Sequence, residues 1–211
     1  LSAKGYFLNK SHSLNPTFSS TGINGNPAVQ FNGNSNLYVE NFNSLSTDDY
    51  TILVVSQLAS AVGHQDMMAI TKSDHGLLLE SNGGKWRFLH RMPIADSGGS
   101  NRMGYVSNTD PHLMMFERLA NGSEVDEMNF FIDDTLNPEE ESSSTSITDN
   151  PNFESGDFYL TLGSILHNNI GRPFNGSISE LMIFDRALSD LEKSILLRYT
   201  SEKWELDSIV D

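Results

Sequence analysis

The chain contains no cysteine and is poor in basic residues. Its 211 residues include 13 lysines and arginines against 28 aspartates and glutamates, a formal net charge of -15. Without cysteine, disulfides, thiolate zinc sites and cysteine nucleophiles are excluded. The shortage of positive charge argues against binding to nucleic-acid phosphates or to anionic membrane surfaces. No apolar run approaches the roughly 18 residues that would span a bilayer.

The composition is that of a folded domain. Hydrophobic residues make up 37% of the chain and aromatic residues 9%, enough to bury a core. The sequence shows no internal repeat and no linker that would divide it, so we expect one domain over residues 1–211. It starts at Leu1 without an initiator methionine or a signal region. We therefore expect a domain of a longer or processed precursor.

Short apolar segments separated by turn residues dominate the pattern. Residues 50–56 are almost continuously apolar and β-branched, as in a strand covered on both faces. Helical periodicity comes only at the end, where Ser189 and Glu192 match a capping box and an apolar stripe follows at Leu191, Ile195, Leu196 and Tyr199. The predicted strands are 28–31, 36–39, 50–56, 67–71, 76–80, 85–90, 112–118, 128–133, 158–162 and 177–184.

About ten strands before a single helix predict an all-β, antiparallel two-sheet sandwich and exclude an alternation of parallel strands with helices. Residues 1–27 show no sustained period, and residues 95–111 and 137–152 are rich in polar and small residues. We expect loops in the latter two segments.

Three segments carry a resemblance to a known family. Residues 23–33 read INGNPAVQFNG, residues 158–163 read FYLTLG, and residues 174–189 read FNGSISELMIFDRALS. Together they resemble the laminin-G-like, concanavalin-A-like jelly-roll family over residues 23–204. The resemblance implies a two-sheet jelly roll closed by a helix over 189–204, while residues 1–22 match the family's first strand poorly. The family includes lectins, glycoside hydrolases and scaffolds, so it does not fix a function.

A test for glycoside hydrolase chemistry centres on one acidic segment. Retaining glucanases of this fold resemble one another in a strand reading Glu-x-Asp-x-Glu, which aligns the nucleophile and the acid on one face. The nearest match is Glu124 with Asp126, but Met128 takes the place of the acid and Asn129 takes it in a bulged alignment. Because the proton donor is missing, we expect no enzyme activity. An unusual glycosidase is the weakest alternative.

Calcium is the cofactor that the acidic loops suggest. Hard cations take oxygen ligands from carboxylates, amides and backbone carbonyls. The predicted ligands of a structural Ca²⁺ are Asp48, Asp49, Glu180 and Asp185. The alternative is that these acids solvate strand ends, and that Glu180 is satisfied by the backbone or an arginine at the sandwich edge.

A glycan site needs aromatic faces for stacking and planar groups that pair with hydroxyls. In the predicted strand 85–90, Trp86 shares one face with His90. Core packing is the alternative role of Trp86, and Trp204 is expected to be core. Loops clustered at one end of a sandwich often carry function. The predicted ligand-binding residues are Trp86, His90, Arg91, Asn101, Arg102, His167, Asn168, Asn169 and Arg172.

The sequence thus predicts a non-catalytic carbohydrate-binding or adhesive module of an extracellular or cell-surface protein. Its expected partner is a polysaccharide or a cell-surface glycan, and other domains of the parent chain are possible partners. We expect neither nucleic-acid binding nor membrane insertion. The alternative from another class is a structural or protein-interaction module, such as a surface adhesin, a surface-layer domain or a virion-decoration domain.

Overall fold

A computed structural model describes residues 8–9, 15–43, 45, 49–72, 75–91, 99–120, 127–133, 158–168 and 171–206; the side chains at 75, 90–91, 99–106 and 127 lie outside the description. The strands are β1 (Thr17–Ile23), β2 (Asn26–Asn32), β3 (Leu37–Val39), β4 (Tyr50–Leu58), β5 (Gln65–Lys72), β6 (His75–Asn82), β7 (Lys85–Arg91), β8 (Gly99–Val106), β9 (Pro111–Leu119), β10 (Glu127–Ile132), β11 (Tyr159–Leu162) and β12 (Asn175–Phe184). One helix, α1 (Asp190–Trp204), follows.

The strands form two antiparallel sheets, which confirms the predicted two-sheet jelly-roll sandwich. The first sheet has the order β1-β2-β12-β4-β9-β10, and the second has the order β3-β11-β5-β6-β7-β8. All ten predicted strands are present. The loop predicted over 95–111 is wrong, because β8 pairs with β7 there. A strand that the sequence did not predict, β1, pairs with β2.

The main core lies between the two sheets. Inward-facing side chains alternate along the strands, so that Leu77 and Leu79 of β6 meet Phe88 of β7 in this layer. Phe88 of the second sheet stacks on Phe116 of the first, with 4.4 Å between the ring centroids. Because this contact joins the inner faces of the two sheets, the opposite face of each sheet lies on the outside of the sandwich.

The β12 strand is central in the first sheet, as its apolar residues on both faces predict. Gly176 lets it pass close to β4, since a Cβ there would lie 2.3 Å from the Gln57 carbonyl oxygen. Between Ile178 and Glu180 the pairing with β4 shifts by a β-bulge. A bulge locally redirects the side chains of its strand. Here it separates the core residue Ile178 from Glu180, which lies on the outer face.

The α1 helix packs on the outer face of the first sheet. The predicted capping box is confirmed, because Ser189 and Glu192 exchange side-chain and backbone hydrogen bonds at the first turn. Leu196, Leu197 and Trp204 pack against a second apolar cluster that includes Leu53 and Val55 of β4. Within the described ranges, no helix has the length and hydropathy that a membrane crossing requires.

The helix presents a different face to the sheet from the one that the sequence predicts. Leu191, Ile195 and Tyr199 of the predicted stripe are 72%, 58% and 41% exposed. The buried face instead includes Lys193, whose ammonium lies 2.9 Å from the carboxylate of Glu117 on β9. The prediction is correct for Leu196 but wrong for the other three residues of the stripe, because an ion-paired lysine takes an inward position that the hydrophobic pattern assigns to the solvent face.

Candidate functional site

A groove lies where the C-terminal end of α1 meets the first sheet. It is lined by residues of β2 and β12, by Phe18 of β1, and by Lys203 and Trp204 of α1. The groove has a volume of about 330 Å³. Asn24 holds the β1–β2 turn against the helix end by donating to the carbonyl oxygens of Trp204 and Glu205. We call this site the helix groove.

The helix groove combines an exposed aromatic ring with a polar pair. Phe18 is 69% exposed. In the same lining the Lys203 ammonium lies 2.6 Å from Glu180, and the Trp204 indole N–H donates to the same carboxylate at 3.1 Å. The Lys203 ammonium also lies 4.9 Å from the centroid of the Trp204 ring. The groove therefore offers an apolar face, a carboxylate acceptor and an ammonium donor to a ligand.

A second polar site lies on the outer face of the second sheet. Asp66, Glu80 and Arg87 are direct neighbours across β5, β6 and β7, on the face away from the core. His64 precedes β5, and Arg172 follows β11. We call these five residues the carboxylate cluster. Asp66 and Glu80 are fully buried in it, although both belong to an outer face.

Glu80 and Asp66 differ in the number of donors that reach their carboxylates. Glu80 contacts His64 Nε2 at 2.7 Å, forms an ion pair with Arg87 and lies 3.4 Å from Arg172. Within the described part of the chain, no N–H or O–H donor reaches either carboxylate oxygen of Asp66, and Arg172 approaches it only to 3.9 Å; its contact is the neighbouring carboxylate of Glu80. The cluster therefore concentrates its donors on Glu80.

This asymmetry separates the pKa values of the two acids. Burial raises the pKa of Asp66 to about 9, and the proximity of Glu80 adds to the rise because a protonated Asp66 can share its hydrogen with that carboxylate. Burial alone would raise the pKa of Glu80 as well, but hydrogen bonds from Asp66 and His64 and the charge of Arg87 lower it on balance. Asp66 is thus the neutral member of the pair at pH 7.

The geometry of the carboxylate cluster does not suit glycoside hydrolysis. Retaining glycosidases place two carboxyl groups about 5 Å apart on either side of a bound sugar. Ligand atoms of Asp66 and Glu80 lie within 4.8 Å of each other, but both residues are buried and leave no space for a substrate between them. Met128, which takes the place of a glucanase acid in the sequence, points into the core. Glu124 and Asp126 lie outside the described residues.

The structure distributes the predicted ligand-binding residues over several places. Trp86 is fully buried in the main core, so its prediction as a stacking platform is wrong. His167 stacks on Tyr159 with 3.6 Å between the ring centroids, and burial lowers its pKa. Asn168 is exposed, and Arg172 belongs to the carboxylate cluster. Outside the description lie residue Asn169 and the side chains of His90, Arg91, Asn101 and Arg102.

The predicted calcium ligands do not come together in the described residues. Glu180 accepts hydrogen bonds from Lys203 and Trp204. It is therefore a satisfied carboxylate, as the alternative describes, although its cationic partner is a lysine and not an arginine. Asp49 accepts a hydrogen bond from the Ala120 backbone N–H, and Asp185 is exposed. Asp48 lies outside the description. Among the described residues, no group of three side chains within metal-binding distance of one another includes Asp49, Glu180 or Asp185, and calcium binding stays a prediction.

Sequence reasoning missed both sites. Phe18 lies in a segment without periodicity, and Lys203 shows no signal of its own. The carboxylate cluster left a weak signal, because Glu80 directly follows the buried apolar run Leu77–Leu79 within β6. An acid in such a strand must be paired or protonated. This requirement predicts that Glu80 has a partner, but the sequence does not show which residues supply it.

Comparisons with known proteins bear on the fold. No family model matches the chain, and no curated protein matches it, so the laminin-G-like resemblance stays a prediction. Among solved structures, the receptor-binding domain of botulinum neurotoxin type G superposes with a TM-score of 0.63 at 13% identity, over 93% of this chain and 47% of that one. The chain has the fold of that region. It spans about half the length of the neurotoxin domains that it matches.

Two further structures extend the comparison. Domain 4 of AbnA, an extracellular arabinanase from Geobacillus stearothermophilus solved with arabinotriose, matches with a TM-score of 0.61 at 14% identity, over 90% of this chain and 87% of that one. The binding domain of botulinum neurotoxin DC, solved with SialylT, matches with a TM-score of 0.61 at 9% identity, over 92% and 46%. At these identities the likeness establishes the fold alone.

Proposed function

We propose that the chain is a non-catalytic carbohydrate-binding module of an extracellular protein, and that the helix groove holds a neutral glycan. The observation that carries this proposal is that the exposed Phe18 and the Glu180–Lys203 pair line one groove. An aromatic ring offers a face to the C–H groups of a sugar, and the flanking polar groups pair with its hydroxyls.

The charges of the helix groove favour a neutral ligand. The Lys203 ammonium already lies 2.6 Å from Glu180, so the pair contributes no net charge. The chain as a whole carries a formal charge of -15, which opposes the approach of an acidic polysaccharide. A neutral glycan can use Glu180 as an acceptor and Lys203 as a donor without breaking the ion pair between them.

The structural neighbours support a binding role in general terms. The AbnA domain was solved with arabinotriose, a neutral oligosaccharide, and the neurotoxin regions belong to receptor-binding domains. Arabinotriose is therefore a suitable first probe. Because these neighbours share little sequence with the chain, the ligand has to be argued from the groove itself.

We expect a glycan array to identify neutral ligands and calorimetry to assign them to the helix groove. Replacing Phe18 with alanine removes the stacking face, and we expect the affinity for arabinotriose or the best array ligand to fall about tenfold. Isothermal titration calorimetry with the wild type and the variant measures this change. Titrations with and without EDTA test the separate prediction that calcium is required.

The matched control is Val62→Ala. Val62 is an exposed apolar residue on the β4–β5 connection, and it does not line the helix groove. This variant should bind with unchanged affinity. Failure of every neutral glycan to bind, with or without calcium, would contradict the proposal. Equal affinities for wild type and Phe18→Ala would contradict the assignment to this groove.

A second candidate function is protein interaction, which the exposed stripe on α1 favours. Leu191, Ile195 and Tyr199 are four residues apart and so lie on one side of the helix. An exposed apolar stripe of this kind is typical of an interface. If it mediates self-association, light scattering should detect a stable oligomer, and Ile195→Ser should yield monomers with unchanged glycan binding. A wild-type chain that stays monomeric at high concentration would oppose self-association.

A further inference from the structure

The carboxylate cluster contains three side chains with the donor atoms of a metal site. One ligand atom each from His64, Asp66 and Glu80 lies within 4.8 Å of the other two. His64 Nε2 is 3.7 Å from an Asp66 oxygen and 2.7 Å from a Glu80 oxygen. Ligands bound to one zinc ion at 2.0–2.2 Å with tetrahedral angles lie roughly 3.4 Å apart. The observed spacings bracket that value.

A second observation points to a ligand at this place. Asp66 is fully buried, and in the described part of the chain no donor reaches either of its carboxylate oxygens, which face the carboxylate of Glu80 instead. Buried polar groups of folded proteins are almost always satisfied, so two buried carboxylates that face each other need either a shared proton or a cation between them. A cation that takes the place of this shared proton would give both oxygens of Asp66 a partner and would release the proton to solvent.

The remaining members of the carboxylate cluster leave room for such an ion. Arg87 pairs with one Glu80 oxygen, whereas the other Glu80 oxygen faces His64. Arg172 lies 3.4 Å from that second oxygen, and its side chain is 33% exposed, so it can turn towards solvent. His64 is 29% exposed and marks the same opening. Two carboxylates would neutralise a divalent cation, while Arg87 keeps its own contact.

We propose that His64, Asp66 and Glu80 bind a divalent cation of the zinc class. An imidazole nitrogen with two carboxylates suits zinc and its neighbours among the transition metals, whereas calcium prefers six or more oxygen ligands. The ion would join the loop before β5 to β5 and β6. This site is distinct from the helix groove, which lies on the other sheet, so glycan binding and metal binding can be tested independently.

Calorimetry of the metal-stripped chain with zinc chloride at pH 7 tests the proposal. We expect one zinc ion per chain at this site, and a zinc-dependent rise in melting temperature. His64→Gln and Asp66→Asn each remove a ligand and should weaken that binding event at least tenfold. Asp66 forms no close ion pair that its replacement would break, because Arg172 approaches it only to 3.9 Å. The Asp66→Asn variant should therefore fold, and a loss of zinc binding would not reflect unfolding.

The matched control is His112→Gln. His112 lies 2.6 Å from Asp133, a histidine–carboxylate pair that belongs to no group of three metal-binding side chains among the described residues. This variant should bind zinc as the wild type does. The double variant His64→Gln/Asp66→Asn measures binding by all other acidic residues. The proposal is overturned if this double variant and the wild type give the same isotherm, or if calcium binds the cluster as tightly as zinc.

Discussion

Replacing Asp66 with asparagine should raise the free energy of unfolding at pH 7 in EDTA by about 4 kcal/mol. In the folded chain the pKa of this acid is about 9, against an ordinary value of 3.8, so at pH 7 folding requires the carboxyl group to take up a proton. Each unit between 3.8 and 7 corresponds to about 1.4 kcal/mol. Asparagine has nearly the same shape and needs no proton, and its amide can donate to Glu80.

The same variant should change the pH dependence of stability. Below about pH 4, Asp66 is protonated in both the folded and the unfolded chain, so it has no effect. Between pH 4 and 9 the unfolded chain releases the proton that the folded chain retains, and stability falls as the pH rises. The gap between Asp66→Asn and the wild type should therefore be small at pH 4 and widen towards pH 9. Urea denaturation across this range measures it.

Asp133→Asn is the matched control, with the opposite sign. Asp133 accepts hydrogen bonds from the Leu113 backbone N–H and faces His112, so its replacement removes an acceptor and should cost about 1 kcal/mol. If Asp66→Asn also destabilises the chain at pH 7, then Asp66 is ionised and held by Arg172, contrary to this account.

The second large effect concerns the attachment of α1. Lys193→Met should lower the free energy of unfolding by about 3–5 kcal/mol, because it leaves the carboxylate of Glu117 buried without its cation. The Lys193 ammonium also lies 5.2 Å from the centroid of the Phe131 ring, so the lysine is enclosed on more than one side. Urea denaturation followed by circular dichroism measures the loss.

Two further variants make this result specific. Arg198→Met breaks the exposed pair with Glu202 on the same helix and should change stability by less than about 0.5 kcal/mol. Combining Lys193→Met with Glu117→Leu removes both charges, and most of the lost stability should return. A single Lys193→Met variant as stable as the wild type would show that the buried ion pair does not attach the helix.

The sequence predicts the interior of this fold well, because burial leaves a clear pattern. The β4 strand is apolar on both faces since it is central, and the helix start is encoded by Ser189 and Glu192. The β1 and β8 strands, by contrast, lie at sheet edges, where one side of the backbone has no partner strand and polar sequences are tolerated. Hydrophobic periodicity is weakest there, and both strands went undetected.

The candidate sites were harder to predict because they depend on contacts distant in sequence. Phe18 and Lys203 line one groove only after β1 has joined the sheet and α1 has packed on it. Lys193 occupies a buried position because Glu117 is opposite, and no pattern within the helix reveals that partner. Arg172 was singled out as a loop arginine, but its partners Asp66 and Glu80 come from strands about a hundred residues earlier.

The central claim is that the helix groove binds a neutral glycan, and mapping of backbone amide NMR shifts during a glycan titration tests it most directly. With the best neutral ligand from the array, the account predicts the largest shift changes at Phe18, Ala28, Ser179 and Lys203. Shift changes confined to the second sheet, around Glu80 and Arg172, would contradict it, as would a ligand that shifts no residue of the groove.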